Sequence, residues 1–150
     1  MSEPLAVGTV LVPVDGSDES VTAVEYAVAI AEKYDASVHV VYILGEEVVR
    51  AIESGSVDDD AVAAETDAFV ERTAEIAEES GVEANTSTAY GFSPTQKTRH
   101  PGSAVLDCAE SVEADFLVIP REPTTDGPGE LLERAAEYVL LYASQPVLST

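Results

Sequence analysis

Residues 129–150 read GELLERAAEYVLLYASQPVLST and combine a predicted helix with a predicted strand. Apolar residues recur at one-turn spacing through the first part of this stretch, which is typical of an amphipathic helix; they are Leu131, Leu132, Ala135, Ala136, Val139, Leu140 and Ala143. Pro146 ends the helix, and Val147 and Leu148 then predict a short buried strand. A helix that leads into a buried strand is the repeating unit of α/β folds, and the same unit recurs toward the N-terminus.

Apolar, strand-like blocks alternate with helical patterns along the whole chain. The predicted strands are Val7 to Val14, Ser37 to Ile43, Val82 to Ala89, Phe116 to Ile119 and Val147 to Ser149. The predicted helices are one that follows Ser17 and three that span about Asp58 to Ser80, Ser103 to Val112 and Gly129 to Ala143. Such alternation implies a parallel sheet with right-handed crossovers. We therefore predict one α/β domain over residues 1–150, with a five-stranded parallel sheet and helices on both faces.

Acidic residues dominate the charge of the chain. There are 29 Asp and Glu against 7 Lys and Arg, and the formal net charge is −22. Apolar residues make up 45% of the chain and fall in periodic blocks, so the composition favours a folded protein over a disordered one. The screening length is about 10 Å at 0.1 M salt, which leaves much of the repulsion among carboxylates in place, and about 3 Å at 1 M salt, which nearly removes it. The acidic surface therefore suits molar salt, and we expect a halophilic protein rather than an ordinary acidic one. The same charge disfavours binding to nucleic acids and to anionic membranes.

The sequence contains no motif for catalysis or for metal binding. No signal peptide and no run of about 20 apolar residues is present, so we expect a cytoplasmic protein. The single cysteine, Cys108, excludes an intrachain disulfide and lies on the apolar face of a predicted helix, which favours a core role over a reactive thiol. His39 and His100 have no partner at ligand spacing, and no serine lies in a nucleophile elbow. We therefore expect neither a metal site nor an enzyme.

Several motifs, in this order and spacing, resemble the universal stress protein family. Residues 10–17, VLVPVDGS, resemble its first strand and turn, and residues 114–119, ADFLVI, resemble its fourth strand. Residues 137–140, EYVL, and 145–148, QPVL, resemble its last helix and strand. The resemblance implies a flavodoxin-like or adenine-nucleotide-hydrolase-like three-layer sandwich. It also implies a homodimeric stress-response binding protein whose subunits pair through the last strand, Val147 to Ser149.

The resemblance assigns two nucleoside contacts and lacks the phosphate contacts. In members that bind ATP, the aspartate after strand one contacts the nucleoside and the main chain of strand two contacts the base; the matching residues are Asp15 and Val41. Asp15 also fits a purely structural role as a turn residue that bonds its own backbone. The family's glycine loop reads Gly-x-x-Gly, then nine residues, then Gly-Ser or Gly-Thr. In this chain Pro120 and Pro123 replace the first two glycines, and Glu133-Arg134 replaces the final pair.

Proline has no amide hydrogen and a carboxylate repels phosphate, so the usual triphosphate cradle cannot form. We expect a protein of the branch that does not bind ATP and that has no cofactor. The alternative is a nucleotide- or anion-binding sensor that binds an adenine nucleotide weakly through side chains. Its anion site would combine Asp15 with a basic loop cluster, which consists of Lys97, Arg99, His100 and Arg121, and with Arg134. The cluster also fits simple pairing with nearby acids.

Overall fold

A computed structural model describes residues 7–44, 51, 53–55, 58–90, 101–120 and 129–150. Its strands are β1 Thr9–Val14, β2 Ser37–Leu44, β3 Ala84–Tyr90, β4 Phe116–Ile119 and β5 Val147–Ser149. Its helices are α1 Asp18–Tyr34, α2 Asp59–Glu79, α3 Pro101–Ser111 and α4 Gly129–Tyr142. Every strand and helix predicted from the sequence is present, with ends that differ by a few residues.

The differences at the strand ends have local causes. β1 begins at Thr9 rather than Val7, because the amides of Gly8 and Thr9 donate to the Asp115 carboxylate at 2.7 and 3.1 Å. β3 begins at Ala84 rather than Val82, because the Val82 amide closes the end of α2 by donating to the Ala77 carbonyl at 2.9 Å.

The sheet is parallel throughout and has the strand order β3-β2-β1-β4-β5. This is the order of the first five strands of the doubly wound dinucleotide-binding sheet, whereas flavodoxin has the order 2-1-3-4-5. The predicted class, a five-stranded parallel sheet in a three-layer α/β sandwich, is confirmed.

Alternation along the strands divides the core into two layers. Val10, Val12 and Val14 of β1 pack with buried residues of α1 and α2. Leu11 lies on the opposite face, where it belongs to a second cluster built from residues of α3 and α4. Since successive side chains of a strand point to opposite faces, the apolar run of β1 is buried on both sides.

In the described part of the chain, no helix is both long enough and apolar enough to span a membrane.

Candidate functional site

The strand order reverses between β1 and β4, and their carboxyl ends form the switch point where open α/β sheets bind ligands. β1 is followed by Asp15, and β4 is followed by Pro120, which is buried. The register between β1 and β4 stops at the pair Leu11 and Leu117. The Gly8 carbonyl accepts a hydrogen bond from the Ser37 amide of β2. Since the main-chain groups of successive strand residues point to opposite neighbours, those of Pro13 face β4, and proline has no amide hydrogen to donate there. Pro13 thus helps to keep the two strand ends unpaired at the switch point.

Asp15 begins the turn that leads into α1. Its Oδ1 accepts a hydrogen bond from the Ser17 amide at 2.9 Å. Ser17 is the N-cap of α1, since its Oγ accepts from the Ser20 amide at 3.2 Å. One carboxylate oxygen therefore has the structural role that the sequence allowed for Asp15.

The other carboxylate oxygen of Asp15 has no such role. Oδ2 is buried and has no hydrogen-bond partner among the described residues. Burial raises the pKa of the Asp15 carboxyl above its ordinary value, although hydrogen bonds from Ser17 and Ser20 act in the opposite direction. A buried acceptor without a partner is costly to the folded protein, and a ligand that donates a hydrogen bond would satisfy it.

Tyr42 of β2 closes one side of this turn. Its hydroxyl donates to the carbonyl oxygen of Asp15 at 3.3 Å, and its ring meets the Phe69 ring edge-on with centroids 5.8 Å apart. Gly16 has φ +89°, and a Cβ there would lie 2.7 Å from the Tyr42 hydroxyl oxygen, so glycine suits the position in two ways. Burial raises the pKa of the Tyr42 phenol, and the Asp15 charge raises it further.

An open depression of about 530 Å³ lies beside this turn. Its walls come from the turn, from β2 and from one face of α2, and the lining residues are Asp15, Gly16, Tyr42, Glu65, Ala68, Phe69 and Arg72. The four residues of α2 follow the i, i+3, i+4, i+7 spacing of a single helix face. The depression thus offers an aromatic wall, one cation and two carboxylates.

Sequence reasoning found only part of this site. Asp15 lies where the resemblance places it, whereas Tyr42, Phe69 and Arg72 were missed. The alternation of Val38, Val40 and Tyr42 on one face of β2 was a usable signal for Tyr42. No comparable signal identified Arg72, because its place in the wall of the depression depends on how α2 packs.

Among the described residues, the structure does not place the other predicted site residues in the depression. The Val41 side chain is fully buried in the cluster on the opposite face of the sheet, so the structure does not bring it to the depression. Ser37 donates to Gly8 of β1, and alternation therefore directs the main-chain groups of Val41 into the ladder with β1. The basic loop cluster and Pro123 lie outside the described residues. Glu133 and Arg134 are inside α4 rather than at its first residue.

Within the described ranges, no three His, Cys, Asp or Glu side chains lie close enough together to hold a metal ion.

Comparison with known proteins assigns the chain to a family. A sequence model of the universal stress protein family matches residues 7–149, and the chain belongs to that family. Universal stress protein MJ0531 of Methanocaldococcus jannaschii is 28% identical over 142 residues, which cover 93% of this chain and 79% of the relative.

Two solved structures show the same fold. One is a universal stress protein in complex with cAMP, with a TM-score of 0.65 and 23% identity over 97% of both chains. The other is the universal stress protein from Archaeoglobus fulgidus in complex with dAMP, with a TM-score of 0.64 and 20% identity over 97% of this chain and 98% of that one.

Proposed function

We propose that the protein is a homodimeric, cytoplasmic stress-response binding protein that does not hold ATP through a glycine loop. The observation that carries this proposal is Pro120, which lies buried immediately after β4 at the switch point. A phosphate loop at this place needs main-chain amides that point at the anion, and proline has none.

The start of α4 supports the same conclusion. Residues 133 and 134, which replace the family's second glycine and its hydroxyl residue, are the fifth and sixth residues of this helix. From the fifth residue onward, helical amides donate to carbonyls of the same helix. Neither amide is therefore available to a phosphate group.

Calorimetric titration with ATP tests the proposal. We expect a dissociation constant of about 1 mM or weaker, since the amide contacts to the triphosphate are missing. The matched variant carries Pro120→Gly and Pro123→Gly, which restore two loop amides and should tighten ATP binding. Micromolar ATP binding by the wild-type protein would refute the proposal, even if the variant binds ATP with the same affinity.

A second candidate function rests on the buried, unpartnered Oδ2 of Asp15 beside the depression. We infer that this depression binds a small anionic ligand, such as a nucleoside monophosphate. Tyr42 and Phe69 offer an aromatic wall for a base, Oδ2 accepts from a sugar hydroxyl, and Arg72 attracts a phosphate. The relatives bound to cAMP and to dAMP support a ligand with one phosphate rather than three.

Titration with AMP, adenosine and inorganic phosphate separates the parts of this site. We expect AMP to bind best, Arg72→Gln to weaken AMP about tenfold, and Asp15→Asn to weaken AMP and adenosine alike. Lys33→Gln, in the last turn of α1, is the matched control for loss of one positive charge. If Arg72→Gln has no effect and the Lys97→Ala, Arg99→Ala, Arg121→Ala variant loses binding, the anion site belongs to the basic loop cluster instead.

A further inference from the structure

A second group of reactive side chains lies on the face of the sheet opposite the depression. Nε2 of His39, on β2, is 2.8 Å from Oγ of Ser87, on β3. Oγ of Ser87 is in turn 3.9 Å from Sγ of Cys108, on α3. His39 and Ser87 are 48 residues apart in the sequence, so only the pairing of β2 with β3 brings them together.

Solvent can reach this cluster. β3 is an edge strand of the sheet, Ser87 is exposed, and His39 and Cys108 are half-buried. A small molecule can therefore approach the Ser87 hydroxyl while His39 stays partly shielded from water. This combination resembles the general arrangement in which a nucleophile lies within hydrogen-bond distance of its base.

The protonation states suit a serine nucleophile better than a cysteine one. Burial lowers the pKa of the His39 imidazole, so the ring is neutral at pH 7, and with its proton on Nδ1 it accepts a hydrogen bond from Ser87. Burial raises the pKa of the Cys108 thiol, and the hydrogen bond with Ser87 only partly offsets this effect. The thiol therefore remains protonated, and the group poised beside a base is the Ser87 hydroxyl.

We propose that Ser87 is a nucleophile that accepts an acyl group from small activated esters, with His39 as its general base. Oγ of Ser87 forms a bond to the acyl carbon while the hydroxyl proton moves to Nε2 of His39. The bond from the acyl carbon to the leaving oxygen then breaks, and the proton passes from His39 to that oxygen. The products are an ester on Ser87 and the free alcohol or phenol of the donor.

The test uses p-nitrophenyl acetate, followed by intact mass and peptide mapping of the full-length protein. We expect one acetyl group on Ser87, no serine acetylation in Ser87→Ala, and a rate about 100-fold lower in His39→Gln. The rate should reach a plateau near neutral pH and fall in acid as His39 is protonated. Among the described residues, Cys108 is a titratable group in contact with this cluster, through Ser87. A merely structural role for His39 would not produce that pH profile.

Two controls keep the assignment specific. Thr86→Ala removes a hydroxyl from the same strand on the opposite face of the sheet and should leave the acetylation rate unchanged. Cys108→Ala should keep acetylation at Ser87, because the proposal assigns no nucleophilic role to the thiol. Peptide maps that place the acetyl group only on Cys108, on lysines or on the N-terminus would overturn the proposal, and so would an unchanged rate in a folded His39→Gln variant.

Discussion

The hydroxyl of Tyr42 donates a hydrogen bond to the carbonyl oxygen of Asp15 at 3.3 Å, across 27 residues of sequence. The bond fastens the turn after β1 to the end of β2. The Tyr42 ring also packs edge-on against Phe69 of α2, so one side chain links two strand ends and a helix. The wall of the depression and the position of Asp15 therefore depend on the same residue.

Replacing Tyr42 by phenylalanine should weaken the turn without emptying the core. Tyr42→Phe keeps the ring contact with Phe69 and removes the hydrogen bond to the Asp15 carbonyl, so we expect the free energy of unfolding to fall by about 1 kcal/mol. Urea unfolding monitored by circular dichroism measures this change. Tyr26→Phe is the matched control, because Tyr26 is 50% exposed and should lose almost nothing. An equal change in both variants would argue against the role of the hydrogen bond.

Gly16 should resist substitution for two separable reasons. Its φ of +89° disfavours any side chain, and a Cβ would lie 2.7 Å from the Tyr42 hydroxyl oxygen. Gly81 has φ +69° but open space around it, so Gly81→Ala reports the backbone cost alone, about 1–2 kcal/mol. We expect Gly16→Ala to cost more than Gly81→Ala in urea unfolding. In a Tyr42→Phe background the crowded oxygen is gone, so the destabilisation by Gly16→Ala should come closer to that by Gly81→Ala. If the effects of Gly16→Ala and Tyr42→Phe on the free energy of unfolding simply add, no clash exists.

Asp15 should make a recognisable contribution to the pH dependence of stability. Burial raises the pKa of its carboxyl above 3.8, so the folded protein holds this proton to higher pH than the unfolded chain does. The stabilising contribution is fully present below the unfolded pKa and is lost as pH rises through the folded pKa. The unfolding free energy of wild type minus that of Asp15→Asn should therefore fall as pH rises across that window and then level off. A pH-independent difference would contradict the shifted pKa.

The fold was largely predictable because its signals are local. The continuous apolar run of Val10, Leu11 and Val12 marks a strand buried on both faces, and Ser17 marks the start of α1. Strand neighbours follow only from the family resemblance, since periodicity does not say which strands pair. The polar strand β3, ANTSTAY, has little apolar pattern, and its position at the sheet edge explains why.

The candidate site was less predictable because it depends on contacts between distant residues. Asp15 follows from a turn signal and from the resemblance. Arg72 reaches the depression only through the packing of α2, and Ser87 meets His39 only through the register of β2 with β3. Neither relation leaves a pattern in the local sequence.

Salt should stabilise the protein by screening its own charge. The formal net charge is −22, and mutual repulsion counts against a net stability of about 5–15 kcal/mol. We expect the melting temperature to rise steeply between about 0.1 and 3 M KCl, where the screening length shortens. Sucrose at matched osmolality is the control, because it strengthens burial without screening charge. A melting temperature that is flat in KCl would reject a halophilic protein.

The proposed homodimer should form through the outer edge of β5. β5 pairs only with β4 among the described strands, and it leaves one row of main-chain groups without a ladder partner. Pro146 accepts from Leu117 and Thr150 donates to Ile119, each at 3.0 Å, so alternation directs the amides of Val147 and Ser149 away from β4. A second copy of the strand would satisfy these amides, as edge strands commonly require.

Ser149→Pro tests this geometry because it removes an outward amide and no hydrogen bond to β4. Proline is tolerated on edge strands, so we expect a folded monomer in place of the dimer proposed for the wild-type protein. Ser149→Val is the matched control: it keeps the amide and suits a strand, so it should remain dimeric. Light scattering distinguishes a mass of 15.8 kDa from twice that value. A Ser149→Pro protein that keeps its fold by circular dichroism and still has the dimer mass would place the interface elsewhere on the molecule.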